Sequence, residues 1–476
     1  MWETVIGLEI HVQLATESKL FSSSSTNFGS EQNTQASIID LAMPGVLPVL
    51  NRNAVDMAIK FGLSVNAKIS NKSIFARKNY FYPDLPKGYQ ISQYELPIVH
   101  DGKLEIALDG INKTVGITRA HLEEDAGKSI HDLYDGKSAI DLNRAGTPLI
   151  EIVSEPDMRS AKEAVVYLKK IHSIVKCLGI SDGNMEEGSF RCDANISLRK
   201  PDDEYGIRAE IKNINSFKFV ENAINYEVGR QQEILESGES VKQETRLYDP
   251  KKNETRPMRS KEEANDYRYF PDPDLLPIEI TQKQIKDIQL SLPELPDAKK
   301  NRFISDYLLK PDDAEILSSS KSLASYFENC IEHVSAEYQL LANFILSEVI
   351  GLCNKKNVEI SEAPVDNKEI ANLHNYIIDG KISIKQAKDI LNDAWESGSK
   401  VDEIISNKNI EQISNPSLLT DVAKKILEKH QKEVQDYKNG KDRLLGFFVG
   451  QIMKETKGKA NPKILNQVLN KLLKGE

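Results

Sequence analysis

The sequence predicts an α+β fold: a β-rich region from residue 1 to about 292, then helices to the end. Three observations carry this. Apolar and polar residues alternate with period two in several N-terminal segments. The dipeptides Asp101-Gly102, Asp109-Gly110 and Asp135-Gly136 suit hairpin turns and hence antiparallel pairing. Beyond Pro293-Glu-Leu-Pro, Leu, Ile and Phe recur at helical spacing. At 476 residues the chain is too long for one core, and the expected divisions are 1–292, 293–405 and 406–476.

The first strand runs from Thr4 to Leu14. Ile6, Leu8, Ile10, Val12 and Leu14 make one face, and Glu9, His11 and Gln13 the other. A carboxylate and an imidazole two residues apart, about 7 Å along one side of a strand, can meet a divalent cation or exchange protons. Tyr82-Pro-Asp-Leu-Pro86 and Phe270-Pro-Asp-Pro-Asp274 are proline-punctuated loops whose aromatic residues suit the lips of a site. His121-Leu-Glu-Glu-Asp supplies Glu123, Glu124 and Asp125. In Leu149-Ile-Glu-Ile-Val, Glu151 sits within an apolar strand, where a carboxylate is costly without a cation or hydrogen bonds.

A helix follows from Ala161 to Leu178, with Ser160 as N-cap, Glu163 closing a capping box and Gly179 as the stop; His172 at the edge of its apolar stripe reads as a packing or surface residue. Arg191, Asp193, Asn195 and Ser197 share one face of the next strand, and Arg208, Glu210 and Lys212 one face of the strand after it. The short loop between them predicts pairing, which merges the two charged faces. A second helix runs from Phe219 to Ser237. The last segment reads as three helices, two opened by Asn415-Pro416 and Asn461-Pro462. Gly446 and Gly450, four apart, suit close helix packing, and Lys457-Gly-Lys-Ala-Asn is a basic loop suited to RNA contact.

Composition narrows the function classes. Hydrophobic content of 39% and charged content of 28% describe a soluble globular protein. No apolar run reaches membrane length, and the first strand starts almost at Met1, so neither a membrane span nor a signal peptide is expected and a cytoplasmic location is. Cys177, Cys192, Cys330 and Cys353 are too scattered for a disulfide framework or a cysteine zinc site. The net charge is −10, but Lys438 to Glu476 holds nine basic against three acidic residues, +6 there and −16 elsewhere. A basic tail on an acidic body can recruit a polyanion to one end.

No Gly-x-Gly occurs, which removes the dinucleotide and kinase glycine loops. Gly127-Lys-Ser and Gly136-Lys-Ser lack the first glycine of a P-loop, since Leu122 and His131 stand there. A nucleotide would therefore be held through metal: carboxylates binding Mg²⁺ that bridges phosphate oxygens, with Lys and Arg clamping the transferring group.

Several stretches also resemble a known family. They are Val5-Ile-Gly-Leu-Glu-Ile-His-Val, Leu41-Ala-Met-Pro-Gly-Val-Leu-Pro, Arg77-Lys-Asn-Tyr-Phe-Tyr-Pro-Asp, Leu122-Glu-Glu-Asp-Ala-Gly-Lys-Ser, Gly146-Thr-Pro-Leu-Ile-Glu-Ile-Val, Glu186-Glu-Gly-Ser-Phe-Arg-Cys-Asp-Ala-Asn-Ile-Ser and Asp266-Tyr-Arg-Tyr-Phe-Pro-Asp-Pro-Asp. Together they resemble the GatB family, the B subunits of the aspartyl/glutamyl-tRNA(Asn/Gln) amidotransferases, from Thr4 into the tail. The resemblance implies a glutamine synthetase-like cradle, a helical domain and a YqeY-like tail that binds tRNA. It implies ATP-dependent phosphorylation of the side-chain carboxylate of Glu on tRNA(Gln), or Asp on tRNA(Asn), followed by displacement of phosphate by ammonia. The partners it implies are the amidase GatA, which makes the ammonia, the further subunit GatC, and misacylated tRNA. Positions matching Glu9, His11, Glu124 and Glu151 would be metal ligands, and Asp193, Glu210 and Lys212 phosphate-side or second-metal residues. Two other readings compete: a stand-alone glutamine synthetase-like ligase on a small carboxylic acid, which needs no basic tail, and a noncatalytic RNA-binding scaffold, which needs no carboxylate cluster.

Overall fold

The computed structural model describes residues 1–134, 136–258, 267–408, 415–438, 441, 443–456 and 459–474. The chain divides into two compact units, Met1–Leu295 and Pro296–Glu476. Of the expectations above, Asp135, Asp266, Lys457, Gly458 and Glu476, with 409–414 of the expected tail, lie outside the described residues.

The first unit is built on one large sheet. The strands of this unit are β1 (Glu3–Gln13), β2 (Lys68–Ile69), β3 (Lys72–Ser73), β4 (Ala76–Asn79), β5 (Tyr89–Ser92), β6 (Val99–Leu108), β7 (Ile111–Glu124), β8 (Lys128–Tyr134), β9 (Lys137–Asp141), β10 (Pro148–Ser154), β11 (Phe190–Arg199), β12 (Ala209–Lys212), β13 (Glu244–Asp249), β14 (Glu254–Pro257), β15 (Phe270–Pro271) and β16 (Ile278–Glu279), the last paired with β3 alone. The main sheet has the order β14-β13-β12-β11-β1-β10-β7-β5-β4-β15, with β6 paired to β7 and β2 to β6. The β8–β9 hairpin stands apart from it. β1 is central, antiparallel to β10 on one side and to β11 on the other. The β11–β12 pairing expected from the short loop is present.

Alternation decides which face is core. Ile6, Leu8, Ile10 and Val12 of β1 are fully buried together with Ala120, Leu122, Ile150, Ile152, Ala194 and Ile196. They pack with apolar residues of helices α1 (Arg52–Ser64), α2 (Ala161–Cys177) and α3 (Phe217–Glu236). The opposite face carries the charged residues.

The sheet departs from pure antiparallel pairing at one place: β12 and β13 are parallel, because α3 carries the chain back between them. Among the Asp-Gly dipeptides, Asp109-Gly110 is the two-residue turn joining β6 to β7, with φ of 52° and 80° as a type I′ turn requires. Asp101-Gly102 is instead inside β6. A Cβ on Gly102 would lie 3.1 Å from Ile117 and 3.2 Å from Ala67, so this glycine serves close packing. Ser160 caps α2 by accepting from the Glu163 amide, but Glu163 reaches one residue further back, to the Arg159 amide at 2.8 Å, and also takes Lys113 at 2.7 Å. His172 on α2 is a packing residue, its ring edge-on to Phe190 and Phe217.

The second unit is helical and holds two apolar clusters, one spanning Phe303 to Ile404 and one Leu419 to Leu473. Its last part has four described helices, Pro416–Lys429, Gln431–Lys438, Leu444–Glu455 and Pro462–Lys474, where three were expected. His430, at φ −121° and ψ 44°, breaks what reads in sequence as one helix. Asn415 caps its helix as expected, with Pro416 in the first turn. Gly446 and Gly450 are exposed with nothing within 4 Å of a Cβ, so they are not packing glycines. No described helix is long and apolar enough to cross a membrane.

One buried network pins the β12–β14 end of the sheet. Glu227 of α3 is fully buried and accepts from Arg230 at 2.6 and 3.0 Å, Gln231 at 2.9 Å and Thr255 at 3.1 Å, with Arg246 at 3.5 Å. Removing it leaves Arg246 buried and only partly compensated. Glu227→Ala should cost about 3–5 kcal/mol in urea unfolding of the full chain. A loss below about 1 kcal/mol would show the network to be dispensable.

Candidate active site

The polar face of the sheet is ordered in rows, because residues directly opposite in antiparallel strands project to the same side. His11 is opposite Glu151, which is opposite His121, and across β1 His11 also faces Arg191. One step along, the row reads Asp193, Glu9, Val153, Arg119. Glu210 on β12 is opposite Asn195, one step beyond Asp193.

The side chains converge. His11 Nε2 lies 3.4 Å from Glu151, 3.5 Å from Glu9 and 3.9 Å from Glu123. His121 Nε2 lies 3.6 Å from Glu151 and 3.8 Å from Glu123. On the β12 side, Lys212 Nζ bridges Asp193 at 2.6 Å and Glu210 at 3.0 Å, and Thr245 donates to Glu210 at 2.8 Å. Asp125 is buried under Arg191, at 3.0 Å, and Gln13, at 2.7 Å. Burial alone would raise its pKa, but Arg191 and then Arg144 hold it below the usual carboxylate range.

These contacts set unusual protonation states. Burial, then the charge of Glu151, pushes Glu9 up to about 7. Burial would lower His11, yet the hydrogen bond and charge of Glu151, then Glu123 and Glu9, push it up to about 9. Burial would raise Glu151, but His121 and His11 hold it well below its ordinary value. Glu210 is likewise held low against burial, chiefly by Lys212. The imidazolium of His11 thus acts as the internal counter-ion of a crowded carboxylate cluster.

Three sets of ligand atoms lie close enough to share an ion: Glu9, His11 and Glu151; His121, Glu123 and Glu151; and Glu9, Asp193 and Glu210. The all-oxygen third set fits a hard cation such as Mg²⁺, and the first two fit an ion that accepts imidazole as well. His121 Nδ1 is buried without a hydrogen-bond partner, while its Nε2 faces the carboxylates of Glu151 and Glu123.

Of the residues expected from sequence, Glu9, His11, Glu151, Asp193, Glu210 and Lys212 are brought together. Glu124 is not among them. It lies opposite Pro148, in phase with the core residues Leu122 and Ile150, and its carboxylate pairs with Lys87 and accepts from the Ile91 amide at 3.1 Å. Glu123 and His121 take the place on the polar face, and the parity of β7, read from Leu122, is the signal that identifies them. Lys78, Lys87 and Arg119 also escaped the sequence reading: Lys78 is on the four-residue strand β4 and Lys87 in the turn before β5, where no period shows, whereas Arg119 shares the parity of His121 and Glu123 on β7.

Comparison with known proteins agrees with the resemblance over the whole chain. A family model described as GatB/GatE catalytic domain matches residues 4–286, and one described as GatB domain matches 325–473. The aspartyl/glutamyl-tRNA(Asn/Gln) amidotransferase B subunit of Thioalkalivibrio sulfidiphilus is 58% identical over 474 residues, covering 99% of each chain. The proteins of the same name from Nitrosococcus oceani and Acinetobacter baylyi are 56% and 54% identical, over 99% of this chain and 99% and 96% of theirs.

A metal taken up by Glu9, His11 and Glu151 must displace the His11 proton, and below pH 7 that of Glu9 as well. Calorimetric Mg²⁺ titrations of the full chain at pH 8, in two buffers of different ionisation enthalpy, should therefore report release of about one proton per ion. Affinity should fall as pH drops below about 9, and more steeply below about 7. Binding without proton release would remove His11 from the ligand set.

Proposed function

Since the chain belongs to the GatB family of aspartyl/glutamyl-tRNA amidotransferase subunits, we propose that its polar sheet face phosphorylates the side-chain carboxylate of Glu or Asp carried by a misacylated tRNA, with ATP as donor, and then lets ammonia convert the acyl phosphate to the amide. The observation that carries this reading is the cluster of Glu9, His11, Glu123, Glu151, Asp193 and Glu210 on one face of one sheet. A scaffold that only binds RNA has no use for so costly a concentration of buried carboxylates.

A carboxylate does not react with ammonia directly, because its oxide is too poor a leaving group. Once a carboxylate oxygen attacks the γ-phosphorus, the leaving group becomes phosphate. Magnesium held by Glu9, His11 and Glu151, and by Glu9, Asp193 and Glu210, would neutralise the triphosphate that otherwise repels the attacking carboxylate. His11 and His121 fix the ionised state of Glu151, and Lys212 holds Asp193 and Glu210 in place at the outer edge of the cluster. Glu124 could join a metal site only after exchanging its Lys87 partner.

The same reading assigns residues 1–292 to catalysis, 293–405 to a helical domain and 406–476 to tRNA capture, the basic residues of the tail meeting phosphates. Ammonia would come from a partner amidase, GatA, with GatC completing the assembly. The sequence of this chain offers no Gly-x-Ser-x-Gly nucleophile for making its own.

Glu9→Gln tests the reading. In the assembled enzyme, supplied with free ammonium and saturating Mg²⁺, amide formation on charged tRNA should fall on the order of 100-fold, with thermal unfolding unchanged. Near-normal turnover would separate the cluster from the chemistry.

A further inference from the structure

We infer that Arg119 is the phosphate-binding side of this site, holding the nucleotide's phosphate chain above Val153, across from Glu9. The inference rests on the reading that a nucleotide is the phosphoryl donor, and it names the residue that receives it opposite the carboxylates.

The argument starts from register. Arg119 ends the row Asp193, Glu9, Val153, Arg119, so it projects from the same face as the carboxylates and is separated from Glu9 by one strand. With strands about 4.8 Å apart, the Cα atoms of Glu9 and Arg119 stand about 10 Å apart. The residue between them is a small apolar one, so the row has negative charge at one end, positive charge at the other and a low floor between. A polyphosphate can touch both ends of such a gap. A single carboxylate cannot.

Most of the other cations around the site are committed, and Arg208, whose charge reaches Glu210, is exposed to solvent. Lys212 is held by Asp193 and Glu210, Arg191 and Arg144 by Asp125, Lys87 by Glu124, and Arg77 by Asp272 and Asp274. Lys78 lies over the Tyr267 ring at 4.9 Å, and its nearest charges are the cluster carboxylates Glu123 and Glu151. Arg119 differs. Among the described residues it has no ion pair and no side-chain hydrogen bond, and its Nε is buried without a partner. A buried donor left unmatched is costly, and a ligand oxygen is the acceptor that would meet it.

The guanidinium also has an aromatic neighbour. It lies over the ring of Tyr94, 6.0 Å from its centroid, and Tyr94 in turn stacks on Tyr269 with centroids 4.3 Å apart and planes 10° apart. A guanidinium contact this long lies at the outer limit of a cation–π interaction and leaves the N–H donors of the guanidinium open to a planar or tetrahedral oxyanion. A guanidinium fork recognises phosphate through two parallel donors, which lysine cannot offer.

Arg119→Ala and Arg119→Lys, each in the assembled enzyme, test the inference. Two quantities would be read: binding of a nonhydrolysable ATP analogue with Mg²⁺ by calorimetry, and the KM values for ATP and for charged tRNA with free ammonium. Arg119→Ala should weaken the analogue and raise the KM for ATP on the order of 10- to 100-fold, leaving the KM for tRNA unchanged. Arg119→Lys should recover part of that loss and no more. Unchanged analogue affinity in both variants overturns the inference, as does an effect confined to the tRNA KM, which would make the guanidinium a receptor for the RNA or its aminoacyl group. If alanine prevents folding, the lysine variant still decides: affinity equal to that of the native chain overturns the forked contact. Failure of the native enzyme to bind the analogue would instead remove the nucleotide reading itself.

Discussion

A single buried carboxylate, Glu151, sets the conditions for everything around it. It sits on β10 between the two central neighbours β1 and β7, within an otherwise apolar strand, and the imidazoles of His121 and His11, with Lys78 further off, make its charge tolerable there. That pairing needs β1, β10 and β7 in one register. A slip of one residue on any of them would put a titratable side chain, His11, Glu151 or His121, into the helix-covered core and an apolar one onto the polar face. The apolar faces of the same strands enforce the register, since Ile10, Ile152 and Ala120 are fully buried in a row beneath. Fold and site are thus two faces of one alternation.

The same carboxylate makes its neighbour reactive toward cations. Glu9 is pushed up to about 7 because partial burial disfavours its charged form and Glu151 beside it keeps its own charge. The cluster is poised between holding protons and holding a metal, and the His11 imidazolium fills the role of a cation until an ion takes it. Further out, Lys212 ties Asp193 to Glu210, and Thr245 on the parallel strand β13 fixes Glu210. The buried Glu227 network of α3 anchors Arg246 of that same strand, so a group far from the chemistry positions one edge of it.

Much of this was legible in the residues. The alternation of β1 identified Glu9 and His11, and the conflict between Glu151 and its apolar strand identified that carboxylate. The merged charged face of β11 and β12 followed from the shortness of the loop between them. Glu124 was legible only as a carboxylate next to Glu123; choosing between them requires the phase of β7, which the core residue Leu122 sets. The pairing of Lys87 with Glu124 joins a proline-punctuated loop to a strand end and has no periodic signature. Two helical details failed for local reasons. Glu163 bonds the residue before the N-cap, and His430 interrupts an apolar pattern that reads as continuous. The parallel β12–β13 pair was hidden behind α3, whose length permits a crossover without announcing one.

The central claim is that this face turns a side-chain carboxylate into an acyl phosphate. It can be tested by charging tRNA with Glu or Asp that carries ¹⁸O in its side-chain carboxylate, then running the reaction in the assembled enzyme with ATP, Mg²⁺ and ammonium. When a carboxylate oxygen attacks phosphorus and ammonia later breaks the carbon–oxygen bond, that oxygen leaves with the phosphate. Mass spectrometry of the released phosphate should find one ¹⁸O per amide formed. Amide formed with unlabelled phosphate would contradict the account, because ATP would then be consumed without ever bonding to the carboxylate.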